Sequence, residues 1–97
     1  MNVSDLPATE RPLYRLTHLD KKYLTNVELL SLVIGTDQGI IIAQQLFTTF
    51  KTLDNIHKAT IQELKQIKGI GTTLAGKIIA SLELSRRVTE HRELPRK

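Results

Sequence analysis

Lys68-Gly69-Ile70-Gly71-Thr72-Thr73, set inside the stretch Thr60 to Leu84, decides the fold of this chain. Upstream lies Thr60-Ile61-Gln62-Glu63, a capping-box sequence. In such a box a Thr hydroxyl and a Glu carboxylate satisfy each other's free backbone donors at a helix start. Ile61, Leu64 and Ile67 then fall on one helical face. Gly69 ends that helix, because Gly enters the left-handed region at little cost. Ile70 is a single apolar residue between two glycines, placed to plug the gap between two helices. Gly71 has no side chain, so a backbone or a phosphate can approach it closely. Thr72 offers an N-cap for a second helix. In that helix Leu74, Ala75, Ile78, Ile79 and Leu82 recur at the spacing of one buried face. The stretch reads as helix, tight hairpin, helix.

The consequence is chemical. Helix N-termini carry unpaired N–H groups and a partial positive charge. A glycine turn ahead of such a terminus makes an anion site, and a nucleic-acid phosphate is one anion it can hold. The run from Leu64 through Ile67, Gly69, Ile70, Gly71, Ala75 and Lys77 to Ile78 resembles the helix-hairpin-helix motif. That resemblance implies a grip on the sugar-phosphate backbone of DNA without readout of sequence. The expected phosphate-binding residues are Lys68, Gly69, Ile70, Gly71, Thr72, Thr73 and Lys77, the hairpin through its amides and the lysines through charge. A helical hairpin that only packs is the alternative.

Ninety-seven residues suggest one domain. Only Tyr14, Tyr23, Phe47 and Phe50 are aromatic, so Leu, Ile, Val and Ala must fill the interior, which suits a helical bundle. The absence of cysteine excludes disulfides and thiolate chemistry, and fits a cytoplasmic setting. No run of eighteen apolar residues exists to span a membrane, and the start has no signal-peptide pattern. Residues 51–87 hold seven basic residues against three acidic, whereas residues 1–50 hold four against five. The basic excess therefore sits on the hairpin half, as phosphate binding needs.

Residues 1–11 read as a flexible arm. Pro12 opens a short helix with Leu13, Leu16 and Leu19 on one side. Thr25-Asn26-Val27-Glu28 is a second capping box, ahead of a helix dense in apolar residues through Ile34. Gly35 to Gly39 is a turn, and Ile40 to Phe50 a helix with Ile41, Ile42, Leu46 and Phe50 near one face. Capped helix, glycine turn and helix thus occur twice, and Gly35-Thr36 echoes Gly71-Thr72. The first copy (25–50) is degenerate: Val33 stands where a matching Gly would, and Asp37 repels phosphate. It is expected to pack against the motif copy (60–84). Between them, Thr52 to Ile56 is a short connecting helix, and His57 reads as a solvated loop residue. The last helix is expected to run through Arg87 and fray, leaving 88–97 as a C-terminal linker that Pro95 interrupts.

Glu10-Arg11-Pro12, Glu28-Leu29-Leu30, Ile34-Gly35-Thr36, Ile67-Lys68-Gly69-Ile70-Gly71 and Glu83-Leu84-x-Arg86-Arg87 follow one another in an order that resembles the N-terminal domain of the RadC family. The likeness covers roughly residues 10 to 87. It implies a RuvA-domain-2-like helical domain of a bacterial protein historically linked to DNA repair. That family continues into a JAB/MPN metallopeptidase-like domain with a His-x-His zinc site, none of which is in this chain. Two departures stand out. Leu13-Tyr14 replaces the usual polar or basic pair after Arg-Pro, and Ile34 stands where an Arg often precedes the turn.

His18, His57 and His91 share no ligand spacing, so no metal and no cofactor is expected. Glu28 and Glu63 are caps rather than acid–base groups, no nucleophile elbow is present and no Walker loop exists, so no catalytic residue is assigned. The expectation is an all-α bundle of five or six helices, a pseudo-repeated helix-hairpin-helix spanning 12–87. Its expected function is sequence-independent, weak binding to the DNA backbone. The alternative is a protein-interaction or dimerisation domain that positions an absent metallopeptidase-like domain, its partner being the rest of its own full-length chain or another protein.

Overall fold

Both capping boxes form. Thr25 Oγ1 accepts from the Glu28 amide at 3.1 Å while Glu28 Oε1 accepts from the Thr25 amide at 3.0 Å. Thr60 and Glu63 repeat the exchange at 3.1 and 2.9 Å. The structure, a computed structural model, describes residues 2–93. These contain α1 (Pro12–His18), α2 (Asn26–Ile34), α3 (Gly39–Phe50), α4 (Leu53–Lys58), α5 (Ile61–Leu64) and α6 (Thr72–Glu93). Single 3-10 turns lie at Val3–Asp5, Ala8–Glu10 and Lys21–Tyr23. No strand occurs among the described residues, so the all-α expectation holds.

The long helix α6 is the spine. It packs against α2, α4 and α5, while α3 packs on α2 and α4. The apolar residues predicted for the hairpin meet there: Leu64, Ala75 and Ile78 are fully buried, and Ile67 and Ile70 nearly so. Leu30, Ile34, Ile42, Ala43, Leu46 and Ile56 complete one aliphatic core, with Phe47 and Phe50 at its margin. Burying each Leu or Ile side chain among them contributes about 1.5–3 kcal/mol. The α2–α3 crossing is close because Gly39 faces Ser31: a Cβ at Gly39 would stand 2.8 Å from the Ser31 carbonyl oxygen.

Several expectations are corrected. Leu13 and Leu19 are 61% and 45% exposed rather than inward, and Pro12 takes the buried position. Leu19 lies past the end of α1, and Arg15, hydrogen-bonded to Glu28 of α2, fixes which side of this two-turn helix meets the bundle. The arm is anchored, not free: the Val3 amide donates to the Asp37 carbonyl at 3.0 Å, and Arg11 donates to the Leu6 and Ser4 carbonyls. Helix α6 passes its predicted end at Arg87 and reaches Glu93. Arg86 bridges Glu83 and Glu90 one turn either side, pairs that support a helix beyond its buried face. The proposed linker therefore begins as helix, and its residues 94–97 lie outside the described residues.

The glycine correspondence expected between the two halves is shifted. Gly35 (φ +77°) and Gly69 (φ +95°) are the left-handed glycines, so Gly35 corresponds to Gly69 and not to Gly71. Gly71, not Thr72, is the N-cap of α6, since its carbonyl accepts from the Ala75 amide at 2.9 Å.

One strained residue separates the two copies. Lys51 has φ 75° and ψ −43°, and the Thr52 amide donates to the Phe50 carbonyl at 3.0 Å across it. This is a γ-turn of the rare positive-φ kind. It reverses the chain out of α3, after which the Thr52 hydroxyl caps α4. Replacing Lys51 by Gly relieves strain of about 1–3 kcal/mol and loses part of it to unfolded-state entropy. A rise in Tm of a few degrees is expected in thermal melts followed by circular dichroism, and an unchanged or lower Tm would contradict the strain.

Gly39→Ala has the opposite expected sign. Helix propensity alone favours Ala by up to about 1 kcal/mol, but the contact with the Ser31 carbonyl forces the helices apart, at about 1–3 kcal/mol. A lowered Tm in the same melt is the expected outcome.

Candidate nucleic-acid interface

The hairpin is built from the end of α5. After Leu64 the helix tightens: the Gln66 amide donates to the Glu63 carbonyl at 3.2 Å and the Ile67 amide to the Leu64 carbonyl at 3.1 Å. The Ile70 amide then donates to the Ile67 carbonyl at 3.1 Å, closing a turn with Gly69 at the position that requires positive φ. Ile70 is held twice, by that bond and by its buried side chain. Its amide, predicted to face a phosphate, is thus already committed inside the protein.

The other predicted donors are arranged differently. Among the described residues, the amides of Gly69, Gly71, Thr72 and Thr73 have no hydrogen-bond acceptor within the protein. A Cβ at Gly71 would meet nothing within 4 Å, so the space before α6 is open. Lys68 and Lys77 are exposed, as is Lys65, and all three are outside the ion pairs of the described residues.

Ion pairing sharpens the charge asymmetry seen in the sequence. Lys58 is paired with Asp54 at 2.8 Å, and Arg86 and Arg87 with Glu83 at 2.8 and 3.1 Å. The unpaired basic residues of the 51–87 segment are then Lys51 and the three hairpin lysines, against the capping carboxylate of Glu63. The first copy offers nothing comparable. Asp37 sits in its turn, its carbonyl accepts from the Val3 amide, and Ile34 is a core residue at 2% exposure.

A second polar cluster, between α4 and α6, was not foreseen. His57 is on α4 rather than in a solvated loop, and its Nε2 lies 2.9 Å from Glu83 Oε1. The Arg86 guanidinium, then His57 and Arg87, hold the Glu83 carboxyl well below the usual carboxylate range. The Glu83 carboxylate, shared by His57 of α4 and by Arg86 and Arg87, is a bracket between α4 and α6. Partial burial opposes ionisation of Glu28, yet the Thr25 amide and Arg15 together bring its carboxyl below the ordinary value. No three His, Cys, Asp or Glu side chains form a metal-ligand group among the described residues. His18 is stacked on Tyr14, His57 is bonded to Glu83, and the side chain of His91 lies outside what is described. Nor is any helix of the described residues long and apolar enough to cross a membrane.

The geometry defines a small helical domain with a glycine hairpin docked on its core. The UPF0758 N-terminal family profile matches residues 3–76, and the chain belongs to the UPF0758 family, the family its motif order resembles under the name RadC. A UPF0758 protein of Caldanaerobacter subterraneus is 37% identical over 92 residues, covering 91% of this chain and 40% of the relative. One from Lactococcus lactis is 42% identical over 82 residues, covering 80% and 36%. One from Clostridium botulinum is 40% identical over 89 residues, covering 88% and 39%. The chain thus corresponds to the N-terminal part of these proteins and spans about two fifths of their length. No solved structure matches it.

The Glu83 bracket has a pH signature. Its folded-state pKa is depressed, so the stability it contributes is present above the ordinary value of 4.5 and is lost as pH falls towards the folded-state value. Glu28 acts in the same direction. Tm measured against pH should be flat near neutrality and fall below about pH 4.5. Glu83→Gln should melt lower at neutral pH and show a shallower acid limb. An acid limb identical to that of the parent would show that the bracket contributes nothing.

Proposed function

We propose that this domain binds the DNA backbone without sequence selectivity, through the α5–α6 hairpin. The observation that carries the reading is the set of unpartnered amides at Gly69, Gly71, Thr72 and Thr73, open to solvent and flanked by the unpaired Lys65, Lys68 and Lys77. A phosphate placed there receives backbone N–H donors, the positive end of α6 and two or three ammonium groups. Ile70 holds the hairpin geometry and does not touch DNA. Nothing in the hairpin reads a base edge, so the contact is positional rather than specific. The RadC name suggests repair as the setting, and the rest of such a protein would carry the metallopeptidase-like domain.

A second reading rests on Leu84 and Val88, four residues apart on α6 and 64% and 52% exposed. They give the outer part of α6 an apolar face on which the remaining three fifths of a full-length relative could seat. In this reading the domain positions a partner domain, and the glycine hairpin is structural.

Fluorescence anisotropy with labelled duplex DNA separates the two. Binding should be no tighter than roughly micromolar at physiological salt, with a log–log salt slope of about −2 to −4. Lys68→Ala with Lys77→Ala should leave the unfolding free energy within about 0.5 kcal/mol of the parent, weaken binding and flatten the slope by up to about two units. Gly71→Val should fold, because the space is open, and should lose binding by blocking the phosphate. If both variants bind duplex as well as the parent, the hairpin is not the DNA site.

A further inference from the structure

We propose that α1 and the 3-10 turn after it form a separate stacking surface for the bases of single-stranded nucleic acid. Both tyrosines of the chain lie in this short segment, and both are displayed rather than buried. Tyr14 is 38% exposed and Tyr23 64%. The Tyr14 ring stacks on His18 with centroids 3.9 Å apart and planes at 13°, which fixes the ring. His18 is itself fixed, with Nδ1 2.9 Å from the Tyr14 carbonyl oxygen. Lys22 Nζ stands 5.3 Å from the Tyr23 centroid, on one face of that ring. Arg15 joins the two parts: its guanidinium bonds Glu28 of α2 and reaches the Tyr23 carbonyl at 3.5 Å.

The chemistry favours nucleobases with their phosphates. Exposed tyrosine rings are platforms for any base, because every base has a π-face. Lys21 and Lys22 are exposed and in no ion pair among the described residues. All four basic residues of the first fifty lie between Arg11 and Lys22, where Asp20 is the single carboxylate, and Asp20 is occupied in accepting from the Lys22 amide at 3.0 Å. A cationic segment with ordered exposed aromatics meets both requirements of single-strand binding, charge for the backbone and rings for the bases. The hairpin has no aromatic residue. The two sites share no residue, so this inference stands apart from the hairpin reading.

The chain reports on the site directly. It has no Trp, so its near-ultraviolet emission comes from Tyr14 and Tyr23 alone. Titration of the 97-residue protein with an oligothymidylate of about twelve nucleotides, corrected for absorption, should quench that emission at low salt. Anisotropy of the labelled oligonucleotide should show a loss of about tenfold or more for Tyr14→Ala with Tyr23→Ala. Tyr14→Phe with Tyr23→Phe should keep the affinity of the parent, since the ring and not the hydroxyl is required. The quench should persist in Lys68→Ala with Lys77→Ala, so failure of the hairpin leaves this result standing. Unquenched emission at saturating oligonucleotide, or an alanine pair that binds within about twofold of the parent while folded, would overturn the proposal and return this face to a protein partner.

Discussion

The burial of Ile70 between α5 and α6 is the constraint on which the hairpin depends. The side chain is sealed in the core and its amide is bonded to the Ile67 carbonyl, so the residue is held from both ends. With Ile70 fixed inward, its flanking glycines have nowhere to go but outward. Gly69 takes the positive φ that the reversal needs, and its turn rests on Ile42 of α3, whose Cδ1 would lie 3.0 Å from a Cβ placed there. Gly71 becomes the N-cap of α6, exposed and without neighbours. The unpartnered amides and the aliphatic core are therefore two sides of one packing event. A polar residue at position 70 would disturb both, because an unpaired polar group in such a core is expensive.

Around this point the domain divides its work between burial and charge. The core is aliphatic almost throughout, and the inner half of α6 belongs to it. The outer half is held by the Glu83 bracket to His57 on α4 and by Arg86 spanning Glu83 and Glu90. Surface pairs of this kind contribute little singly, and a shared carboxylate makes the group somewhat more than its parts. Their larger effect is on the field. By pairing Arg86, Arg87 and Lys58 they leave Lys51 and the hairpin lysines as the unpaired cations of the 51–87 segment among the described residues.

The predictive reach of the sequence followed the range of the interactions involved. Capping boxes at Thr25 and Thr60 depend on residues three apart, and both formed with the predicted partners. The buried face Leu64, Ile67, Ile70, Ala75 and Ile78 depends on helical spacing, and it too was legible. Errors came where distant segments decide. Leu13 and Leu19 are apolar and periodic, yet Leu13 faces solvent on a helix tied to α2 by Arg15 and Glu28, and Leu19 lies past the end of that helix. His57 reads as polar and loop-like, but Glu83, twenty-six residues on, is its partner. The arm reads as structureless because its anchor is the carbonyl of Asp37, which no side-chain pattern announces. Lys51 in a γ-turn had no signal at all, since Gly or Asn is the residue such a φ suggests.

What the sequence determined by itself is the class of the molecule: an all-α domain with two capped helices and two left-handed glycine turns. Local backbone chemistry suffices for that, because helix caps, positive-φ glycines and 3.6-residue periodicity act over a few residues. Tertiary structure decided the register of the repeat, the length of α6, and which donors and charges remain available. Those depend on subtraction. Whether an amide or a lysine is free is a matter of what else reaches it, and only the packed chain shows that Ile70's amide is taken, Arg86 is neutralised, and Gly71, Lys68 and Lys77 are left open.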